Sequence, residues 1–154
     1  MATQSVRIPP HNLDAERSLL GSILIDPEAI IKVADKLTAD SFYVPANQAL
    51  FAAMETLYEL RQPIDAVTLT SQLKKQKQLT QAGGSAAIAE LSNAVASAAN
   101  VEHYAKLVSD TATKRRLISV ASEITTLAFD DGKDIQDIMD TTEQEVFAVS
   151  QKQS

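Results

Sequence analysis

An all-α fold is predicted for this chain, and three observations predict it. Its 154 residues contain only four glycines and five prolines, and no proline follows Pro63. A β-sandwich or barrel of this length needs many more turn residues. Apolar residues make up 45% of the chain and recur at helical spacing, and the stretch from Val101 to Phe129 holds neither Gly nor Pro. The predicted architecture is a small globular head of about five short helices followed by a projecting antiparallel helical hairpin. Residues 1–12 read as a flexible N-terminal arm, 13–100 as the head, 101–149 as the hairpin and 150–154 as the start of a linker.

Asn12 is a good N-cap, and the first helix should run from about Leu13 to Ile25 with Leu19, Leu20, Ile23 and Leu24 as its buried stripe, joined by Leu13. Asp26-Pro27 caps and opens a second helix, because proline at the first helical position forfeits an N–H that has no partner there anyway. Ile30, Ile31, Ala34 and Leu37 should face inward from it. Residues 40–43 are a break. A third helix from about Pro45 to Leu60 carries Ala46, Leu50, Phe51, Met54, Leu57 and Tyr58 at helical spacing. Residues 62–65 end it and lead into a short helix around Val67 to Gln76. Gly83-Gly84 is a turn, Ser85 to Asn93 a fifth helix, and Asn100 the next N-cap.

As one helix, the stretch from Val101 to Phe129 would be roughly 43 Å long. At about 100° per residue, Val101, Tyr104, Ala105, Leu107, Val108 and Ala112 occupy one side. The apolar set of the second half is centred on nearly the opposite side, and the switch falls at Lys114-Arg115-Arg116. The first half can therefore lie on the head while the second needs another helix. Asp131-Gly132-Lys133 is a turn and Asp134 an N-cap, so the protein supplies that helix itself. Leu117, Ala121 and Leu127 should pack the hairpin together with Ile135, Ile138, Met139 and Val146. Two helices enclose too little apolar surface to be stable alone, so oligomerisation is expected.

Net charge is -6, with 14 Lys plus Arg against 20 Asp plus Glu. The imbalance is local: seven acids and the single base Lys133 lie between Asp130 and Glu145, and the remainder is neutral. Sequence-independent nucleic-acid binding needs a clustered basic surface, so DNA should be held only weakly if at all. Absence of cysteine excludes disulfides, thiolate chemistry and Cys-based zinc sites. No apolar run approaches the roughly 20 residues that span a bilayer, and residues 1–10 lack the apolar core of a signal peptide. A cytoplasmic location without membrane association is the expectation.

Catalytic patterns are not found. No GxxxxGK[ST] spacing follows a glycine, and no His-based triad can be assembled. His11 and His103 have no second His or Cys at ligand spacing and read as surface or capping residues in place of metal ligands. The pair Asp130-Asp131 lies in an exposed turn, where no desolvation would tune it for acid catalysis. No catalytic, cofactor-binding or metal-ligating residue is therefore assigned. Two basic clusters, Lys74-Lys75-Lys77 and Lys114-Arg115-Arg116, read as solvated helix faces, with an interface role the alternative for the second.

Arg7-Ile8-Pro9-Pro10, then Asn12 to Glu16, Leu19-Leu20-Gly21 and Asp26-Pro27, closely resemble the opening of the bacterial replicative helicase family DnaB. The likeness continues through Asp40 to Tyr43, Pro63-Ile64-Asp65 with Val67-Thr68, Gly83-Gly84, Ser97 to Val101 with Tyr104, and Arg115 to Ile118. It covers about Arg7 to Val149 in the family's order and spacing. Family members often carry an aromatic where this sequence has Ala87 and a proline where it has Ala96.

The resemblance implies an N-terminal domain whose hairpins pair and assemble as a trimer of dimers, a collar on a hexameric helicase ring. It also implies docking of the C-terminal helicase-binding domain of primase, with a helicase loader as a further candidate partner. ATP, Mg and 5′-to-3′ unwinding would belong to a RecA-like motor domain outside this chain, which would itself not be an enzyme. For partner docking the candidates are Arg115, Ile118 and Ile124: Ile118 lies off both main apolar arcs of the long helix, and the other two flank the second arc. The alternatives are a domain guiding single-stranded DNA, supported by the two basic clusters, and a stand-alone adaptor without a motor.

Overall fold

The computed structural model describes residues 7–153 and is helical, with no β-strand among them. Six α-helices follow one another: α1 (Leu13–Ile25), α2 (Pro45–Glu59), α3 (Ala66–Lys75), α4 (Gly84–Leu91), α5 (Val101–Ala128) and α6 (Ile135–Gln153). Two 3-10 segments, Pro27–Lys32 and Ala39–Ser41, lie between α1 and α2. The protein divides into two compact units, one of residues 11–110 and one of the N-terminal arm up to Pro10 with residues 111 onward. The division falls inside α5 and not at its start, where the sequence placed it. The reason is burial: Val101, Ala105 and Val108 belong to the core of the first unit.

Local chemistry accounts for the starts and stops of the head's helices. Asn12 Oδ1 accepts from the backbone N–H of Ala15 at 2.9 Å, capping α1. Asp65 and Thr68 form a reciprocal capping box on α3, with Thr68 N–H to Asp65 Oδ1 at 2.8 Å and Asp65 N–H to Thr68 Oγ1 at 2.9 Å. Gly83, at φ +99°, enters α4 in the left-handed region that glycine adopts without a Cβ clash. Both α2 and α3 end in Schellman turns, with Arg61 (φ 56°) and Lys77 (φ 58°) at the left-handed position usually held by glycine.

The core of this unit is built from Leu19, Leu20 and Ile23 of α1, Phe51, Met54 and Leu57 of α2, Leu69 and Leu73 of α3 and Ile88 of α4. Phe42 packs on Phe51 with ring centroids 5.0 Å apart. Gly21 lets α1 approach the end of α4, since a Cβ there would lie 2.5 Å from the Leu91 carbonyl oxygen.

Three details differ from the sequence reading. The element after Asp26 is a 3-10 helix of six residues and not an α-helix reaching Leu37. With about three residues per turn, Ile30 and Val33 share the buried side and Ile31 turns outward, exposed. Leu13 and Tyr58, at the ends of their helices, are exposed also. Residues 150–153, expected as linker, continue α6, whose Val149 is buried against its partner helix. Of the predicted flexible arm, residues 1–6 lie outside the described residues. No helix among the described residues is long and apolar enough to cross a membrane.

Candidate functional site

In the second unit α5 and α6 run antiparallel. Thr113 Oγ1 donates to Gln153 Oε1 at 2.6 Å, while Val120 and Val149, both buried, line one groove of about 220 Å³ with Arg116, Glu145 and Lys152. The turn that reverses the backbone is pinned by Asp130, whose side chain accepts from Gly132 N–H at 2.9 Å and whose carbonyl accepts from Lys133 N–H at 3.2 Å. Val120, Ile124 and Leu127 on α5 and Ile138, Thr142 and Val149 on α6 are the buried or half-buried residues of the seam.

The predicted packing residues split into two groups. Leu127 and Ile138 lie half-buried on the seam, whereas Leu117, Ala121, Ile135, Met139 and Val146 keep a large exposed fraction. Leu117, Met139 and Val146 are 46–47% exposed and Ile135 69%. The reason is the width of the apolar stripe on each helix, which exceeds what one partner helix can cover.

Angular position shows where the surplus goes. At about 100° per residue, Leu117 and Ala121 are rotated roughly 60–100° from the buried Val120, and Ile135, Met139 and Val146 about 40–80° in the same sense from the buried Val149. Equal rotation on two antiparallel helices brings both flanks to one side of the pair. The hairpin therefore presents one continuous apolar face made by both helices. The acids Asp137, Asp140 and Glu143 are exposed and lie farther round α6, away from the seam.

A second feature lies on the other flank of α5. Arg115, half-buried, donates from Nη1 to the Pro10 carbonyl at 2.8 Å, which holds the N-terminal arm against the helix. Beside this bond is a cleft of about 550 Å³ lined by Pro9, Arg115, Ile118 and Glu123 with the hydroxyl residues Ser119, Ser122 and Thr126. Two of the three predicted docking residues, Arg115 and Ile118, thus share one cleft, and Ile118 is exposed in it. The third, Ile124, sits half-buried nearer the seam and does not line it. Sequence reasoning missed Pro9, Ser119, Ser122, Glu123 and Thr126; their period of three to four along α5 was the available signal for the last four, and nothing in the sequence placed the arm there.

His11 stacks on Tyr43 with centroids 4.5 Å apart and the rings 11° from parallel. Glu55 on α2 is held above the usual carboxylate range by partial burial and then by the neighbouring charge of Glu59. Among the described residues no three His, Cys, Asp or Glu side chains converge on a metal-sized site.

Fold and site together define the class: an all-helical domain composed of a four-helix head and an antiparallel hairpin with an uncovered apolar face. The family model of the DnaB-like helicase N terminal domain matches residues 8–110, and the chain belongs to that family. It is similar to the replicative DNA helicase DnaB of Treponema pallidum, 42% identical over 92% of this chain and 32% of that protein. It is also similar to DnaB of Geobacillus stearothermophilus, 36% identical over 96% of this chain and 33% of the relative. The chain thus spans about a third of the length of these curated relatives.

Among solved structures, the crystal structure of the N-terminal domain of DnaB helicase from Mycobacterium tuberculosis superposes with a TM-score of 0.87 at 32% identity, covering 92% of this chain and 99% of that one. A DnaB-like replicative helicase, solved in a study of its interactions with primase, matches with a TM-score of 0.74 at 28% identity over 87% of this chain and 31% of its own.

Proposed function

We propose that this chain is a non-catalytic assembly and docking module of a replicative helicase, and that it pairs with a second copy through the apolar face of its hairpin. The observation that carries the reading is the placement of Leu117, Ala121, Ile135, Met139 and Val146 on one side of the α5–α6 pair, exposed. A self-complementary contact uses every residue twice. Covering the exposed half of each residue contributes about 1 kcal/mol, so five residues from each of two copies contribute about 10 kcal/mol. Association costs about 4–15 kcal/mol. Pairing of the isolated chain is therefore weak and concentration-dependent, and the collar of a trimer of dimers would draw further closure from the motor ring.

Arg115 and Ile118 in the cleft, with Ile124 beside it, are the proposed docking residues for the helicase-binding domain of primase; the primase interactions described for the structural neighbour support that direction. A helicase loader would be a further partner. ATP, Mg and unwinding would belong to the motor domain of the full-length protein, working in the cytoplasm. Light scattering over a concentration series tests pairing. A reversible monomer–dimer equilibrium is expected, abolished by Met139→Glu with the helical spectrum intact. A protein that stays monomeric at millimolar concentration overturns it. Primase-domain binding unaffected by Arg115→Ala and Ile118→Glu overturns the docking assignment.

A further inference from the structure

We propose that Met139 is an oxidation site through which a hydroperoxide separates two paired copies of this chain. The inference rests on the pairing reading above and adds its regulation. Three observations carry it. The sequence holds three methionines and neither cysteine nor tryptophan, so the side chains a mild peroxide attacks are the thioethers. Met54 is fully buried in the head, whereas Met139 is nearly half exposed; Met1 lies outside the described residues. Met139 also stands in the apolar stripe of α6, four residues after Ile135 and seven before Val146. Among the described residues, the one accessible sulfur is therefore part of the face that pairs.

The chemistry is a two-electron oxygen transfer. A lone pair of the Met139 sulfur attacks one oxygen of the peroxide, and an S–O bond forms as the O–O bond breaks. The other oxygen takes up the proton and leaves as water, or as an alcohol from an organic hydroperoxide. The thioether is oxidised and the peroxide reduced. An apolar side chain has become a polar sulfoxide whose oxygen accepts hydrogen bonds and donates none.

Its own helix offers that oxygen no ready donor. Thr142 Oγ1 already donates to the Ile138 carbonyl at 2.8 Å, and the Gln136 amide donates to Asp140 Oδ1 at 3.0 Å. Covering an acceptor that loses water and finds no donor opposes association by about tenfold or more. A two-fold contact contains Met139 twice, so oxidation should weaken pairing by about a hundredfold. Pairing in turn covers Met139 and screens it from peroxide. The separated chain is the reactive form, and once oxidised it stays separate until the sulfoxide is reduced.

Light scattering over a concentration series, before and after treatment with hydrogen peroxide, reads pairing; peptide mass spectrometry reads the site as a gain of one oxygen. Expected are an oxygen on Met139 and none on Met54, an association constant lowered about a hundredfold at unchanged helical signal, and recovery when sulfoxide reductases acting on both epimers restore the thioether. A Met139 left unoxidised, or one oxidised with pairing unchanged, overturns the proposal. So does a chain that stays separate after Met139 is shown to be reduced again. Met139→Leu keeps the other two methionines and should give the same association constant before and after peroxide; a drop as large as wild type's overturns the assignment to this residue. The rate of Met139 oxidation should fall as protein concentration rises through the pairing range, and a rate independent of concentration overturns the proposal. Untreated wild type that is monomeric at millimolar concentration overturns the pairing reading, and the switch with it, whereas pairing indifferent to peroxide sinks the switch alone.

Discussion

Glu16 and Asn47 are joined across 31 residues by a 2.9 Å hydrogen bond from Asn47 Nδ2 to Glu16 Oε1. The carboxylate belongs to α1 and is fully buried, yet it acts at the start of α2, where it also accepts the backbone N–H of Tyr43 at 2.7 Å. Helix N-termini leave donors without partners, and an anion placed there satisfies them and complements the helix dipole. Val44 at the N-cap of α2 makes no side-chain cap of its own. Glu16 replaces the missing cap from another helix.

Removing that carboxylate should cost far more than an ordinary surface change. Glu16→Ala strands a buried backbone N–H and the Asn47 amide and leaves a small cavity, for a loss of about 2–4 kcal/mol. Glu16→Gln, which retains the shape but turns one acceptor oxygen into a donor group, should lie between that and wild type. Urea unfolding followed by circular dichroism checks both, with an unchanged slope and a lowered midpoint expected.

Close approach of α1 to the end of α4 makes Gly21 a steric hot point. A Cβ there meets the Leu91 carbonyl oxygen at 2.5 Å and the Ala94 Cβ at 3.1 Å. The first obstacle is backbone, so the helices must separate. Gly21→Ala should destabilise by about 1–3 kcal/mol in spite of alanine's better helix propensity. A thermal melt showing stabilisation would contradict the approach.

Lys77 predicts the opposite sign. It occupies a left-handed conformation at φ 58°, in a Schellman turn closed by Gln78 N–H to Leu73 carbonyl at 2.9 Å. A Cβ in that conformation costs about 1–2 kcal/mol, of which glycine recovers part while the unfolded state gains freedom. Lys77→Gly should therefore stabilise by about 0.5–1 kcal/mol, seen as a higher melting temperature at unchanged helical content.

Glu55 gives a pH signature. Its carboxyl is raised above the ordinary value, first by burial and then by Glu59. Folding thus favours the protonated form. The charged form costs stability at neutral pH, and that cost fades as pH falls through the folded value and vanishes below the unfolded one, about 4.3. Glu55→Gln should raise the melting temperature at pH 7 and leave it unchanged below about pH 4. A gain that persists at low pH would assign the effect to packing instead.

Helix positions were legible in the sequence because capping and periodicity are local: Asn12 before α1, Pro45 at the start of α2, and the Gly-free and Pro-free run that became α5. The two-sided character of α5 was legible as well, since a reversal of the apolar arc at Lys114–Arg116 can be read on a wheel. The role of Glu16 was not. It falls three and four residues before Leu19 and Leu20, on the apolar side of α1, which was a signal; but an acid in a first turn already has a local reason to be there.

The hairpin marks the boundary between the two kinds of knowledge. Composition and spacing are enough to require a helix pair with apolar faces, because a 3.6-residue period depends only on which residues follow one another. They could not tell Leu127 and Ile138, which line the seam, from Leu117, Met139 and Val146, which flank it and stay nearly half exposed. Nor could they place Pro10 on Arg115. Both depend on where a second segment lies in space, since one neighbour of finite width covers only part of a stripe and a backbone carbonyl carries no mark in the sequence. Packing turned a list of apolar positions into a seam and an open face, and it is the open face that suggests what this domain is for.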